Sequence, residues 1–337
     1  MPTKITDFLS SFGMMLAGVF LLFFSSVYFS SDKNLSFLHL PTSGKRTPTV
    51  GGDIIIDNLP VSKPIVPLPK NTEMFNSPLT AVSAIVLDTK TKTILFKKNA
   101  DEVRPLASIT KLMTVMVLLD LSPNWNAVAT ITENDLDSDH HVEVGERFTL
   151  DDLWHVALIG SSNTAINALV RSTGLNTEQF VLKMNQKAQE LHLKSAFFDE
   201  PTGLSDKNVA SALDTAKMLI DALKFEKIYT TVQTGEYYIH PLDSKKARRI
   251  WTTDWLLTNW VPNNFKVENI AGKTGYIDSS GYNFVVSLGD DKDHNITVAI
   301  LGAGTNEERF SEARDLAQWT FDHYAWPDQD GYDGLVE

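Results

Sequence analysis

Ser108-Ile109-Thr110-Lys111 sets a hydroxyl and an amine three residues apart. On a helix that spacing brings both side chains to one face. A serine becomes a nucleophile only when a neighbour takes its proton, and a lysine desolvated by apolar surroundings, or crowded by a second cation, loses enough basicity to do so. A helix N-terminus also favours negative charge developing beside it. Alone the pattern is weak: Ser30 and Lys33 repeat it, and about one chance match is expected in a chain of this length. Ser161-Ser162-Asn163 offers hydroxyls and an amide in a short break between two helices, but Ser122-Pro123-Asn124 has the same form, and such residues are more often helix caps. Lys273-Thr274-Gly275 is rarer, since a given tripeptide arises by chance about 0.1 times here. It falls on an expected strand, where a glycine lets a ligand backbone approach and an edge strand pairs with an extended peptide.

The elements that must position these residues are readable from periodicity. Leu79 to Leu87 is apolar, Asp88-Thr89-Lys90-Thr91-Lys92 turns, and Thr93-Ile94-Leu95-Phe96 returns, which predicts a hairpin. After Pro105 the apolar residues from Ile109 to Leu119 cover every face of a helix, so that helix must be buried all round. Thr149-x-x-Asp152 and Ser211-x-x-Asp214 open further helices, and Asn163 to Thr173 forms another, closed by Gly174. Val267 to Tyr276, Gly281 to Leu288 and Asn295 to Ala303 predict three strands, followed by a helix from Glu307 to about Tyr324. Strands at both ends of a helical middle imply an α/β fold of the α+β type: one antiparallel sheet flanked by helices, with an inserted helical lobe.

Composition narrows the function classes. With 42 acidic against 30 basic residues the chain carries −12, so its surface repels phosphate backbones, and nucleic acid is not an expected partner. The absence of cysteine removes disulfide frameworks, thiol nucleophiles and Cys-ligated metals. From Phe8 to Ser31 no residue is charged, and as a helix this run is roughly 36 Å long, enough to cross a ~30 Å hydrocarbon layer. An uncleaved membrane anchor over residues 1–31 is expected, with a cleaved signal peptide as the alternative. Residues 32–78 are polar and proline-rich and read as a tether, leaving a domain over 79–326 and an acidic tail over 327–337.

The ordered combination of the three motifs, together with Arg104-Pro105-Leu106-Ala107-Ser108-Ile109-Thr110-Lys111, Val144-Gly145-Glu146, Gly160-Ser161-Ser162-Asn163-Thr164-Ala165, Phe198-Asp199-Glu200-Pro201-Thr202-Gly203-Leu204 and Gly272-Lys273-Thr274-Gly275, resembles the low-molecular-weight serine D-alanyl-D-alanine carboxypeptidases of the penicillin-binding protein and serine β-lactamase superfamily. The resemblance covers about Leu79 to Tyr324 and implies a β-lactamase/transpeptidase-like fold. It implies Ser108 as acylated nucleophile, Lys111 as its base and Ser161 as proton relay to the leaving D-alanine. Asn163 would hold the substrate amide, Lys273 would tune the proton network and Thr274 would contact the terminal carboxylate. Gly275 completes that motif, and the backbone N–H groups of Ser108 and Tyr276 would form the oxyanion hole. Peptidoglycan stem peptides are the implied substrate, β-lactams the implied covalent inhibitors, and no cofactor or metal is implied. Cell-wall work of this kind places the domain outside the cell membrane, or in the secreted fraction if the N-terminal segment is cleaved.

Several positions depart from the family pattern. Ser162 and Thr164 replace a common glycine and aspartate, Tyr276 a frequent histidine, and Asp254 an asparagine before paired leucines. Only an acidic tail follows the last helix, so the family's extra β-rich domain and C-terminal amphipathic anchor are expected to be missing, with the N-terminal span anchoring instead. Some members without that domain are endopeptidases. Asp135, Asp137, Asp139, Glu143 and Glu146 imitate a calcium loop, but His140 stands where that turn requires glycine, so a solvated acidic loop with His140 and His141 exposed is expected. Glu200-Pro201-Thr202-Gly203-Leu204-Ser205 imitates the deacylating E-x-x-L-N of class A β-lactamases with the leucine one position late, so Glu200 is expected to be an exposed carboxylate near the cleft. A β-lactamase and a catalytically silent wall-binding protein are the rival functions.

Overall fold

The computed structural model describes residues 65–137 and 139–335. The expected anchor over Phe8–Ser31 and most of the tether lie outside the described residues. Among the described residues no helix is long and apolar enough to cross a membrane. The chain enters through β1 (Leu68–Pro69), which pairs with β13 (Tyr324–Ala325). Tyr332 Oη donates to Val66 O at 2.7 Å, and Lys70 N donates to His323 O at 2.8 Å. Residues 65–78, read as tether, and residues 327–335 of the acidic tail are therefore laid onto the domain. Paired main-chain groups and one buried tyrosine hold them there, features a proline count does not register.

A five-stranded antiparallel sheet is the centre of the molecule. Its order is β10 (Ile270–Ile277), β11 (Gly281–Gly289), β12 (Asn295–Ala303), β2 (Ser83–Asp88), β3 (Ile94–Lys98). Both faces are covered, so β2 is buried at every position and its sequence reads as an apolar run instead of an alternation. The period of two still sorts the side chains. Ala84, Val86, Phe284, Val286, Val298 and Ile300 meet α7 (Glu308–His323) through Phe310, Ala313, Leu316 and Ala317. Ile85, Leu87, Val285, Ala299 and Leu301 face the helical lobe.

That lobe is inserted between β3 and β10. It carries α1 (Thr110–Asp120), α2 (Leu150–Ile159), α3 (Asn163–Ser172), α4 (Thr177–Glu190), α5 (Ala212–Ala222) and α6 (Glu226–Val232). Small antiparallel pairs tie the loops: β4 (Val103–Pro105) with β7 (Val209–Ser211), β5 (Val128–Thr130) with β6 (Arg147–Thr149), and β8 (Glu236–Ile239) with β9 (Arg248–Trp251). The fold expected from the sequence is the fold observed. α1 is buried from Thr110 through Leu118, as its all-round apolar pattern requires. The caps are where the sequence puts them: Thr149 Oγ1 accepts Asp152 N–H, and Ser211 Oγ accepts Asp214 N–H.

The acidic loop differs from expectation. Asp135 is buried and takes a two-pronged ion pair from Arg171 at 2.8 Å through Nε and Nη2. Burial alone would push its carboxyl up, but hydrogen bonds from Arg171 and Thr132, with the charge of Arg171, hold it below the ordinary range. His140 is exposed, while His141 is half-buried with Nε2 3.1 Å from Gly160 O.

Leu112 is fully buried beside Lys111, within the cluster that joins the lobe to the sheet. Leu112→Ala is expected to destabilise the protein by about 2–5 kcal/mol, read as a lower denaturation midpoint without loss of helical circular dichroism in the native baseline.

Candidate active site

Ser108 sits in a 3₁₀ turn, Ala107–Ile109, that runs directly into α1. Ala107 holds φ at +51°, a left-handed value that a residue with a Cβ rarely takes. Two glycines keep this turn in place. A Cβ on Gly203, itself at φ +97°, would lie 2.1 Å from Ala107 O, and one on Gly275 would lie 2.5 Å from Leu106 O. The Pro-Thr-Gly turn and β10 thus clamp the serine turn from two sides, at a spacing only glycine permits.

Lys111 is fully buried. Its Nζ donates to Asn163 Oδ1 at 2.5 Å and to Thr202 O at 2.8 Å, and its third position faces Ser108 Oγ at 2.7 Å. Burial lowers its pKa to about 7, against the upward pull of Glu200, Asp139 and Asp137. Lys273 is 2% exposed, and its Nζ donates to Ser161 Oγ at 2.8 Å and Thr274 O at 3.1 Å. Burial and the cations Lys111 and Arg309 press its pKa well below the usual lysine value. Ser161 is also left-handed, at φ +60°. The structure therefore places Ser108, Lys111 and Asn163 in one set of contacts and Ser161 and Lys273 in a second, with Ser161 only two residues before Asn163 in the chain. Thr274 is joined to Lys273 through its main-chain oxygen, and its Oγ1 is 2.6 Å from Thr253 Oγ1. Tyr276 stands at the lip, 47% exposed, stacked on Tyr282 with its Oη donating to Asp278 Oδ1 at 2.8 Å.

The departures from the family pattern have local reasons. Ser162 caps α3, its Oγ accepting Ala165 N–H at 3.0 Å and donating to Asp139 Oδ1 at 2.8 Å. Asp139 Oδ2 accepts the N–H groups of Asn163 and Thr164, at 2.9 and 3.0 Å. Thr164 Oγ1 accepts Asp137 N–H at 3.1 Å. The loop expected to be solvated is instead docked on the first turn of α3, where the Asp139 carboxylate complements free N–H groups and the helix dipole. This sets the orientation of Asn163.

Glu200 also differs from expectation. It is half-buried, and its carboxylate accepts from Thr202 N–H and Oγ1, Gly203 N–H and Asn208 Nδ2 at 2.5–2.6 Å. It is the organiser of the turn that presents Thr202 O to Lys111. The Pro-Thr-Gly sequence marked that turn but not its use, since a main-chain acceptor leaves no residue-type signature. Thr253 was likewise unmarked, and Asp139 was marked only as one carboxylate of the acidic loop.

The family model described as D-alanyl-D-alanine carboxypeptidase matches residues 70–305. The D-alanyl-D-alanine endopeptidase of Pseudomonas aeruginosa is 31% identical over 261 residues, covering 75% of this chain and 81% of the relative. The Bacillus subtilis D-alanyl-D-alanine carboxypeptidase DacF is 30% identical over 254 residues, covering 72% of this chain and 63% of that one. Among solved structures, the Streptomyces K15 DD-transpeptidase shares the fold with a TM-score of 0.67 at 24% identity, covering 74% of this chain and all of that one. The Listeria monocytogenes penicillin-binding protein D2, in its ampicillin-bound form, gives 0.63 at 24% identity and the same coverage. On the motifs, the fold and these matches, the chain belongs to the D-alanyl-D-alanine carboxypeptidase family of serine peptidases.

Proposed function

We propose that the protein cleaves the D-Ala-D-Ala end of peptidoglycan stem peptides through an acyl-enzyme on Ser108. One observation carries this reading: Lys111, fully buried, spends two N–H groups on Asn163 Oδ1 and Thr202 O and turns its third position to Ser108 Oγ at 2.7 Å. Burial, which brings the Lys111 pKa to about 7, favours the neutral amine, and in that form two hydrogens serve Asn163 Oδ1 and Thr202 O while the one lone pair is left for the hydroxyl that must lose its proton.

In this mechanism Lys111 takes the proton as Ser108 Oγ attacks the penultimate carbonyl carbon. The oxyanion is held by the N–H groups of Ser108 and Tyr276. The proton passes through Ser161 to the leaving D-alanine nitrogen as the peptide bond breaks, and water then hydrolyses the ester. Asn163 has its Nδ2 donors left for the substrate amide. Lys273 and the Thr274 hydroxyl receive the terminal carboxylate. β-Lactams, one of which is bound in the Listeria structure, would acylate the same serine. The β-lactamase reading is disfavoured by Glu200, whose oxygens are committed to Thr202, Gly203 and Asn208 instead of a hydrolytic water. Endopeptidase action is the second reading, favoured by the P. aeruginosa relative of that name. Tethering to the outer face of the cell membrane through Phe8–Ser31 remains a proposal resting on that apolar run alone, and recovery of a mature form beginning near Asp32 would replace it with secretion.

Four measurements test the reading. Purified protein with muropeptides is expected to release single D-alanine residues; conversion of cross-linked dimers to monomers assigns the endopeptidase activity instead. Ser108→Ala is expected to lose all covalent labelling by a fluorescent penicillin while keeping its thermal transition, and labelling that survives removes the nucleophile assignment. The acylation rate should rise with pH through about 7, because the base must be neutral and burial has brought its pKa there; a rate still climbing toward pH 10 rejects Lys111 as the base. Glu200→Gln exchanges acceptor oxygen for a donor in a turn full of donors, so it should cost about 1–3 kcal/mol of stability. The penicilloyl adduct should nevertheless stay long-lived by intact-protein mass spectrometry in both forms. Rapid penicillin turnover that collapses in Glu200→Gln restores the β-lactamase.

A further inference from the structure

Behind the strand that carries Lys273, the structure buries a carboxylate with no part in the chemistry above. Asp254 is 2% exposed. Its Oδ1 accepts the N–H groups of Leu256 at 2.9 Å and Leu257 at 3.2 Å, while Oδ2 has no hydrogen-bond partner among the described residues. An asparagine would cap that turn equally well through its own oxygen, so the cap gives no reason for a charge at this position. A buried carboxylate left half unpaired is costly unless nearby cations compensate it.

Those cations come from two other elements. Lys273 on β10 and Arg309 on α7 both act on Asp254. The chain link is short: Thr253, the preceding residue, bonds Thr274, the residue after Lys273. Arg309 donates from Nη1 to Gly275 O at 3.1 Å and to Asn283 O at 3.4 Å, and its Nε is unpaired. Its guanidinium lies over the rings of Phe310 and, from β11, Tyr282. Lys111 faces Lys273 from α1. Among the described groups acting on Lys273, the two cations Lys111 and Arg309 disfavour its charge and Asp254 alone supports it.

We propose that Asp254 positions a proton: its carboxylate keeps the one proton shared by the coupled Lys111–Lys273 pair on Lys273, and so leaves Lys111 as the free amine that Ser108 needs. The inference rests on the roles given to the two lysines above. Like charges in one dry site titrate as a pair, so a fixed anion beside one member decides which member is charged. The electrostatics agree. Burial raises the Asp254 carboxyl to about 6, below the value of about 7 at Lys111, so the carboxylate form predominates where Lys111 becomes neutral.

The test is the pH–rate profile for acylation by a penicillin, taken on the full-length protein and on Asp254→Asn, which keeps the cap oxygen. Removing the anion makes Lys273 give up its proton at lower pH. The alkaline limb is expected to move down by on the order of one pH unit, with a several-fold lower maximum. The acid limb should move less than the alkaline one, since Asp254 acts on Lys273 directly and reaches Lys111 only through the shared proton. In a Lys273→Arg background, where the charge is fixed, Asp254→Asn should no longer move the alkaline limb. Asp254→Ser, with a hydroxyl acceptor for the cap, is expected to reproduce the shift if the asparagine variant folds poorly. Superimposable profiles for the wild type and a folded uncharged variant overturn the inference and leave Asp254 a cap. A wild-type protein that is not acylated at any pH instead overturns the reading of Ser108 and Lys111, a result distinct from unshifted profiles.

Discussion

Two primary amines are buried in one cleft, and the rest of the structure is arranged around the difficulty of keeping them there. Among the described residues neither Lys111 nor Lys273 forms an ion pair; their acceptors are hydroxyl, amide and carbonyl oxygens. Removing an ammonium ion from water costs several kcal/mol even after relaxation, and two such charges also repel. Proton loss from one of them relieves both effects. The apolar covering of α1 and the double-sided burial of the sheet would be unremarked core features elsewhere. Here they create the dry environment that turns a lysine into a base near neutral pH.

Holding that arrangement stores strain at the backbone. Ala107 and Ser161, the residues at the two hydroxyl-bearing turns, both adopt left-handed φ values despite carrying side chains. Conformations of this kind cost on the order of 1–3 kcal/mol each and persist where the surroundings over-determine them. The over-determination is visible. The Ser108 turn is wedged by Gly203 and Gly275, and Lys111 is bonded to the neighbouring turn through Thr202 O. Ser161 is tied to β10 through Lys273 Nζ, and the α3 start that follows it is capped by Asp139. Much of what resembles structural hydrogen bonding in this region fixes the angle at which two hydroxyl groups are presented.

What the sequence revealed follows from which interactions leave a residue-type trace. α1 and the strands of the central sheet were legible because burial on all sides or on alternating sides writes a period into the apolar residues. α4 was not read, although Asn176 and Gln179 form a capping box and Phe180, Met184 and Ala188 make its buried stripe. The β8–β9 hairpin left almost no trace, because Glu236, Tyr238, Arg249 and Trp251 on its outer face are exposed and mixed in character. In the site, every side chain bearing a motif was legible. Thr202 O was not, because its contribution is a main-chain carbonyl. The acidic loop was misread because the same carboxylates that solvate a surface also cap a helix, and only tertiary placement distinguishes the two uses.

That placement gives the acidic residues a second effect. Glu200, Asp139 and Asp137 all act to raise the basicity of Lys111 while burial acts to lower it, and burial wins. Glu200 and Asp139 do so while committed to backbone hydrogen bonds, so the groups that shape the cleft are also its counter-charges. A basicity fixed as the difference of opposing effects is sensitive to a single charge placed several ångströms away, even where no contact with the reacting atoms is made. Of the positions at which this chain departs from its family, Ser162 and Thr164 bond the loop that carries Asp139 and Asp137, and Asp254 acts on Lys273, none of them replacing a reacting group. Substitution there can therefore shift the pH range of the reaction while the chemistry itself is retained.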